Sequence, residues 1–228
     1  MTKTDIPLIQ FSSQPSCTLC DLHQGAKNPG VPTRFFEQSA PSSLPPLIVV
    51  GMNPGQKEDA ANRCFTGPSG QLLTSVYLNH ETILTHPIYL TNAARCCTLG
   101  TNESPKNRHY KQCFPYLHED IRSIVETHGK AFMLCLGSHS YGVMSQFLIG
   151  KRETLRHGFN NQGQPAKLLF PNRINIYTTF HPAAVLRERK YLYPVSDHIE
   201  LLANAMNGRL PVPSNPDIIE PLFPEVLL

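Results

Sequence analysis

The 228-residue sequence has no apolar run that approaches the roughly 18–20 residues a membrane-spanning helix needs. Its N-terminus, MTKTDIPLIQF, has no apolar core of the signal-peptide kind. These two absences predict a soluble, cytoplasmic protein. Strong charge of either sign is missing too: the net charge is +3 at pH 7 and the pI is near 8.5. That mild basicity permits nucleic-acid binding without arguing for it. Charge is uneven along the chain, however, and the stretch Arg187 to Lys190 is locally basic. The seven cysteines are an odd number and form no disulfide-framework pattern. In a reducing compartment they point to metal binding plus some buried thiols. There is no internal repeat, and no G-K-[ST] ending that would turn the glycine-rich stretch GPSG (67–70) into a nucleotide P-loop.

An ordinary hydrophobic fraction of 40% is enough for one core. Four short apolar runs read as buried strands: LIVV (47–50), IYLTNA (88–93), FMLCLG (132–137) and INIYTTF (174–180). Helical spacing lies between and after them, over 70–78, 109–126, 136–148 and 196–206. This alternation predicts a single three-layer α/β/α domain with a central, mostly parallel four-stranded sheet. Its sites are expected at the carboxyl ends of the strands. The domain is expected to span 1–206. Residues 207–228 hold five prolines and read as an extended tail.

Several motifs fall at those strand ends. CTLC sets Cys17 and Cys20 two residues apart, and Cys96 and Cys113 flank a polar loop. Four thiolates can close a tetrahedral zinc site or hold a [4Fe–4S] cluster, and spacing does not separate the two. Cys97 competes with Cys96 as the third ligand. Cys64 and Cys135 sit in apolar surroundings and read as small buried hydrophobes.

Taken in order, CTLC, GMNPGQKED, CFTGPSGQLL, TNAARC, QCFPYL, LCLGSHS, LRHG and HPAAVLR make a collinear set from Cys17 to about Met206. The chain resembles the uracil-DNA glycosylase superfamily, and within it the iron–sulfur family 4. The resemblance implies a [4Fe–4S] cluster on Cys17, Cys20, Cys96 and Cys113, with Cys96 favoured over Cys97 by position. The cluster's implied role is to pin the irregular N-terminal segment and the 96–113 loop to the sheet. The sequence departs from family 4 in one loop, where Met52 replaces an acidic residue and Asn53 replaces Ala or Gly. G-M-N-P-G is instead similar to the loop of the single-strand-selective and mismatch-specific branches, whose catalytic Asn stands third.

The chemistry implied is hydrolysis of an N-glycosidic bond after the nucleotide has been flipped into a pocket. Negative charge then develops on the leaving base, so a donor to the pyrimidine O2 is needed. His181, opening HPAAVLR, is the candidate. Asn53 is the candidate to position water, with Asp59 and Glu58 behind it; the Glu58 position is implied to lie near the C5 edge of the base. Phe65 is expected to stack on the flipped ring and Asn92 to read its Watson–Crick edge, with Met52 also at the base. An Asn amide serves uracil in one orientation and cytosine in the other. GPSG is expected to hold a DNA phosphate on backbone N–H groups at a helix start, through Gly67, Ser69 and Gly70. Val185 and Leu186 are candidate wedges for the flipping gap, with Arg187 and Arg189 on phosphates.

No Lys stands in the catalytic loop in a position suited to a Schiff base, although Lys57 is near. A monofunctional enzyme is therefore expected, acting as a monomer on single- or double-stranded DNA. Three readings compete. One is a glycosylase for an aberrant pyrimidine, with uracil the default. The second is the same chemistry on a bulky modified cytosine of phage DNA, such as glucosylated hydroxymethylcytosine. The third is a cluster-bearing DNA-binding module without catalysis.

Overall fold

The computed structural model describes residues 9–11, 13–98 and 103–209. Four parallel strands form its centre: β2 (Leu47–Gly51), β3 (Ile88–Asn92), β4 (Ala131–Leu136) and β6 (Ile174–Thr179). Nearly every residue in them is buried, as expected of strands covered on both faces. The sheet has six strands rather than four. β1 (Arg34–Phe35) pairs antiparallel with β3, and β5 (Gln164–Pro165) pairs antiparallel with β6. The strand order is β1-β3-β2-β4-β6-β5. Each added edge strand is two residues long and half exposed, so neither leaves an apolar run to read. Such short edges also resist pairing with other chains.

Helices cover both faces. They are α1 (Gln56–Ala61), α2 (Pro68–Leu72), α3 (Glu81–Leu84), α4 (Asn107–His128), α5 (Gly137–Leu148), α6 (Leu155–Asn160), α7 (Pro182–Arg187) and α8 (Leu192–Met206). The segment expected as one helix over 70–78 is a short α-helix that widens into a π-turn at Leu73–Tyr77. Helix α8 begins at Leu192, earlier than the spacing over 196–206 suggested. Pro194 falls in its first turn, where a missing N–H costs nothing. Two apolar clusters, one on each sheet face, make the core. No described helix is long and apolar enough to cross a membrane. Most of the proline-rich segment 207–228 lies outside the described residues.

The chain runs from β2 to its neighbour β3 and then crosses back to β4 on the other side of β2. Loops leaving the sheet at such a reversal diverge and open a crevice at the carboxyl ends. The loop after β2 starts there, and the ends of β3 and β6 flank it.

Candidate active site

Gly51 ends β2, and Met52–Gly55 form the loop. Backbone bonds from Ala93 N to Gly51 O and from Ala94 N to Met52 O, both 2.9 Å, tie this loop to the one after β3. Beneath it, Ser140 Oγ donates to Val50 O at 2.6 Å. Past Gly55 the chain turns into α1, and the Glu58 carboxylate accepts from Thr66 N (3.0 Å) and Gly67 N (2.6 Å). Glu58 thereby folds the 62–67 segment over the loop. Between them lies a cavity of about 360 Å³. Met52, Asn53, Glu58, Phe65, Ser69, Asn92 and His181 line it, together with Pro54, Gln56, Cys97, Thr98, Glu103 and Ser104.

Phe65 holds a positive φ of 55°, a region that bulky residues avoid. The strain sets its ring across the end of β2. A Cβ on Gly51 would come within 2.8 Å of Phe65 Cζ and would also collide with Asn92 Oδ1. Gly51 therefore lets the Phe65 ring and the Asn92 amide meet at one wall. Gly70 does the same for the backbone, since a Cβ there would strike Phe65 O.

His181 caps α7, with its Nδ1 accepting from Ala183 N at 3.1 Å. A ring whose Nδ1 accepts carries its hydrogen on Nε2. Burial pushes its pKa down to about 4; Arg187 and His139 add to the fall and Glu58 opposes it. The imidazole is thus neutral at pH 7 and offers the cavity one N–H donor. Gly137, at φ +81°, makes room for it, because a Cβ there would stand 3.1 Å from His181 Cβ. Asn53 is half-buried, and its Nδ2 donates to Pro54 O at 3.0 Å.

Other expected residues stand elsewhere. Asp59 is buried and faces away from the cavity: it accepts from Lys27 N (2.8 Å) and Asn28 N (3.0 Å). Its role is to tether the N-terminal segment, not to bind water. The N–H of Gly67 is committed to Glu58, so a phosphate at the start of α2 has Ser69 and Gly70 to use. Helix α7 turns Val185 inward, at 4% exposed, and Leu186 outward, at 52%. Of the two candidate wedges, only Leu186 is exposed. Arg187 and Arg189 are exposed beside it. Sequence reasoning missed Gln56, Thr98, Glu103 and Ser104, polar loop residues with no motif spacing. It also missed His139, which opens α5 beside His181.

The thiols form a second centre. The Cys96 thiol feels Cys20 and Cys17, and the Cys113 thiol feels Cys96 and Cys20. Cys97 instead feels Asp59 and Glu58 and lines the cavity. Gly30 N donates to Cys96 Sγ (3.4 Å) and Arg95 N to Cys113 Sγ (3.3 Å), the kind of bond that stabilises iron–sulfur thiolates. Among the described residues no group of three or more His, Cys, Asp or Glu is gathered tightly enough for a single metal ion. Next to the thiols, the fully buried Arg95 pairs with Asp120, which also accepts from Thr33.

Comparison with known proteins agrees with this geometry. The chain is 29% identical over 175 residues to a type-4 uracil-DNA glycosylase of Pyrobaculum aerophilum, covering 76% of this chain and 81% of the relative. It is 27% identical over 173 residues to one of Saccharolobus solfataricus (75% and 72%) and 26% over 188 residues to one of Thermotoga maritima (82% and 87%). The sequence model of the uracil DNA glycosylase superfamily matches residues 39–202, which run from just before β2 into α8 and include every cavity-lining residue. The protein belongs to the uracil DNA glycosylase superfamily.

Proposed function

We propose that the protein hydrolyses the N-glycosidic bond of uracil in DNA and leaves an abasic site. One observation carries this reading: Asn53, Phe65, Asn92 and a neutral His181 converge on a single cavity at the carboxyl ends of β2, β3 and β6. A base inside a duplex offers no access to its sugar, so the nucleotide swings out at a cost of a few kcal/mol. Phe65 stacks on the extruded ring. As the bond to C1′ lengthens, negative charge gathers on the base and positive charge on the sugar. His181 Nε2–H donates to the base oxygen O2 and stabilises that charge. Being neutral, His181 lends a hydrogen bond without giving up its proton first. Asn53 holds a water below C1′. Its amide is a weak base, so it works by orientation rather than by proton abstraction. Leu186 fills the gap in the stack, and Arg187 and Ser69 meet the backbone.

Cys17, Cys20, Cys96 and Cys113 are the residues that would hold a [4Fe–4S] cluster: the Cys96 and Cys113 thiols feel the charge of the others, and both accept backbone N–H bonds. When bound, such a cluster supplies a rigid cross-link rather than a reacting group. The chain's own residues, Asp59 and Arg95 above all, then hold the N-terminal segment against the sheet.

A second reading rests on cavity size. Cys97, Thr98, Glu103 and Ser104 line both the 360 Å³ cavity and a neighbouring one of about 400 Å³. Together they exceed what a bare pyrimidine fills, which favours a bulky modified cytosine such as the glucosylated hydroxymethylcytosine of phage DNA. Mass spectrometry of released bases decides. The protein is incubated with uracil-containing DNA and, separately, with phage DNA carrying modified cytosine. Free uracil with an abasic strand is the expected result. Release of modified cytosine with uracil untouched moves the function to the second reading. No base from either leaves a DNA-binding module.

A further inference from the structure

Cys64 occupies no position in the chemistry above, yet it is fully buried beside the base-reading residue. Its Sγ lies 3.2 Å from the carbonyl oxygen of Pro32 and 3.4 Å from Asn92 Nδ2. A carbonyl can only accept, so the single thiol hydrogen goes to Pro32. The sulfur is left as an acceptor, and the group of Asn92 that faces it must be the NH2. Burial pushes the Cys64 thiol up to about 12, so the hydrogen stays in place across the working pH range. Asn92 Oδ1 is thereby turned the other way, over Gly51. No described residue donates to it.

The direction of that turn follows from the strand order. Cys64 and Pro32 lie on the β1 side of β3: Pro32 leads into β1, and Arg34 of β1 donates to Cys64 O at 2.9 Å. Gly51 lies on the opposite side, toward β2, β4 and β6, and His181 follows β6. With O2 of the base on His181, N3 is the next atom along the ring and C4 the one after. Asn92 Oδ1, on the His181 side, meets N3. Nδ2, on the Cys64 side, meets the C4 substituent with its second hydrogen. We propose that Cys64 is a positioning residue that locks the Asn92 amide in the orientation matching N3–H and O4, and so makes the site select uracil-type bases over cytosine-type bases. Cytosine has a bare N3 and an amino group at C4, so it would face a lone pair with a lone pair and N–H with N–H.

This inference rests on the proposed function for its biological meaning but not for its test. Excision of uracil and of cytosine from the same single-stranded oligonucleotide is compared for the wild type, Cys64→Ala and Cys64→Ser. Serine can donate to Pro32 and accept from Asn92; alanine can do neither. In Cys64→Ala the ratio of kcat/KM for uracil over cytosine is expected to fall roughly 10- to 100-fold, the worth of one bidentate contact. Cys64→Ser is expected to keep the ratio within a few-fold of the wild type. An unchanged ratio in Cys64→Ala overturns the lock, because a role in packing alone would lower both rates together. The side-chain NMR signals of Asn92 read the lock with no turnover and no substitution. One amide hydrogen is expected to be protected from solvent exchange and its partner not; two hydrogens that both exchange fast overturn the proposal. A wild type that releases no uracil but shows the protected hydrogen refutes the proposed function and leaves the lock standing.

Discussion

The cavity and the thiol centre lie on the same side of the sheet, but their polar groups are treated in opposite ways. Around the thiols, polar groups are consumed. Asp59 accepts two backbone N–H groups, the buried Arg95 pairs with Asp120, and two sulfurs take backbone hydrogen bonds. Around the cavity they are held ready. His181 spends Nδ1 on its cap and keeps Nε2, and Asn92 spends one hydrogen on sulfur and keeps Oδ1. A folded protein leaves few polar groups without partners, so those aimed into a cavity mark where a ligand completes the set. The first region should therefore respond to mutation through stability and the second through rate.

The sharpest break is expected at His181 and Asn53. His181→Ala removes a donor to developing charge and should slow excision about 100- to 1000-fold. Asn53→Ala should also cut excision by orders of magnitude. Both should bind DNA much as the wild type does; Asn53→Ala should melt like it, and His181→Ala, which also removes the α7 cap, should lose about 1 kcal/mol of stability. Single-turnover kinetics with a binding titration checks this; near-normal rates in both would strip these residues of their roles.

The thiol side should fail in the opposite manner. Arg95→Met leaves the mostly buried Asp120 without its cation, with Thr33 still donating to it, and is expected to cost about 3 kcal/mol. The protein should lose the brown absorbance near ~400 nm that a thiolate-held cluster gives. Thermal melting and the visible spectrum of an anaerobic preparation read both. Colourless wild-type protein loaded with zinc would overturn the cluster itself.

A pH titration separates His198 from His181. His198 is 5% exposed, packed on Phe159 and bonded to Thr179, and burial lowers its pKa to about 4. The native state binds fewer protons than the unfolded chain between pH 4 and the ordinary histidine value of about 6.5. Stability is therefore full above about pH 6.5 and is lost as the pH falls toward 4, by about 3 kcal/mol for this one group. His198→Phe should remove its share of that slope in denaturant melts and leave the share that His181 contributes. His181 titrates equally low, so the excision rate itself should hold down to about pH 5 while stability is already falling.

How far the sequence reads depends on whether a feature is periodic. The four central strands are continuous apolar runs, and all four lie where those runs predict. The edge strands Arg34–Phe35 and Gln164–Pro165 have no such signature, because two residues carry no period. In the cavity, Asn53, Phe65, Asn92 and His181 were legible as motif residues at strand ends. What the sequence hid was direction. Asp59 and Glu58 are adjacent acids in one short helix, yet one faces the N-terminal segment and the other the cavity. Val185 and Leu186 part in the same way on α7. Cys64, read as a small buried hydrophobe, is buried as expected, but its sulfur contacts depend on Pro32, 32 residues away.

The smallest effect should come from Leu186, where the cavity region meets DNA. A wedge matters only when there is a stack to hold open. Single-stranded DNA has already lost its pairing, so flipping there needs little help. In a duplex, the unstacked step costs a few kcal/mol, and an apolar side chain in the gap offsets part of it. Leu186→Ala should therefore lower kcat/KM on duplex DNA by roughly 5- to 10-fold and change the single-strand value by less than about twofold. Val185→Ala, buried beneath the same helix, should lower the melting temperature and leave the duplex-to-single-strand ratio alone. If Leu186→Ala slowed both substrates equally, Leu186 would be a general contact to the strand. The insertion would then have to come from another residue of α7 or of the loop after β2.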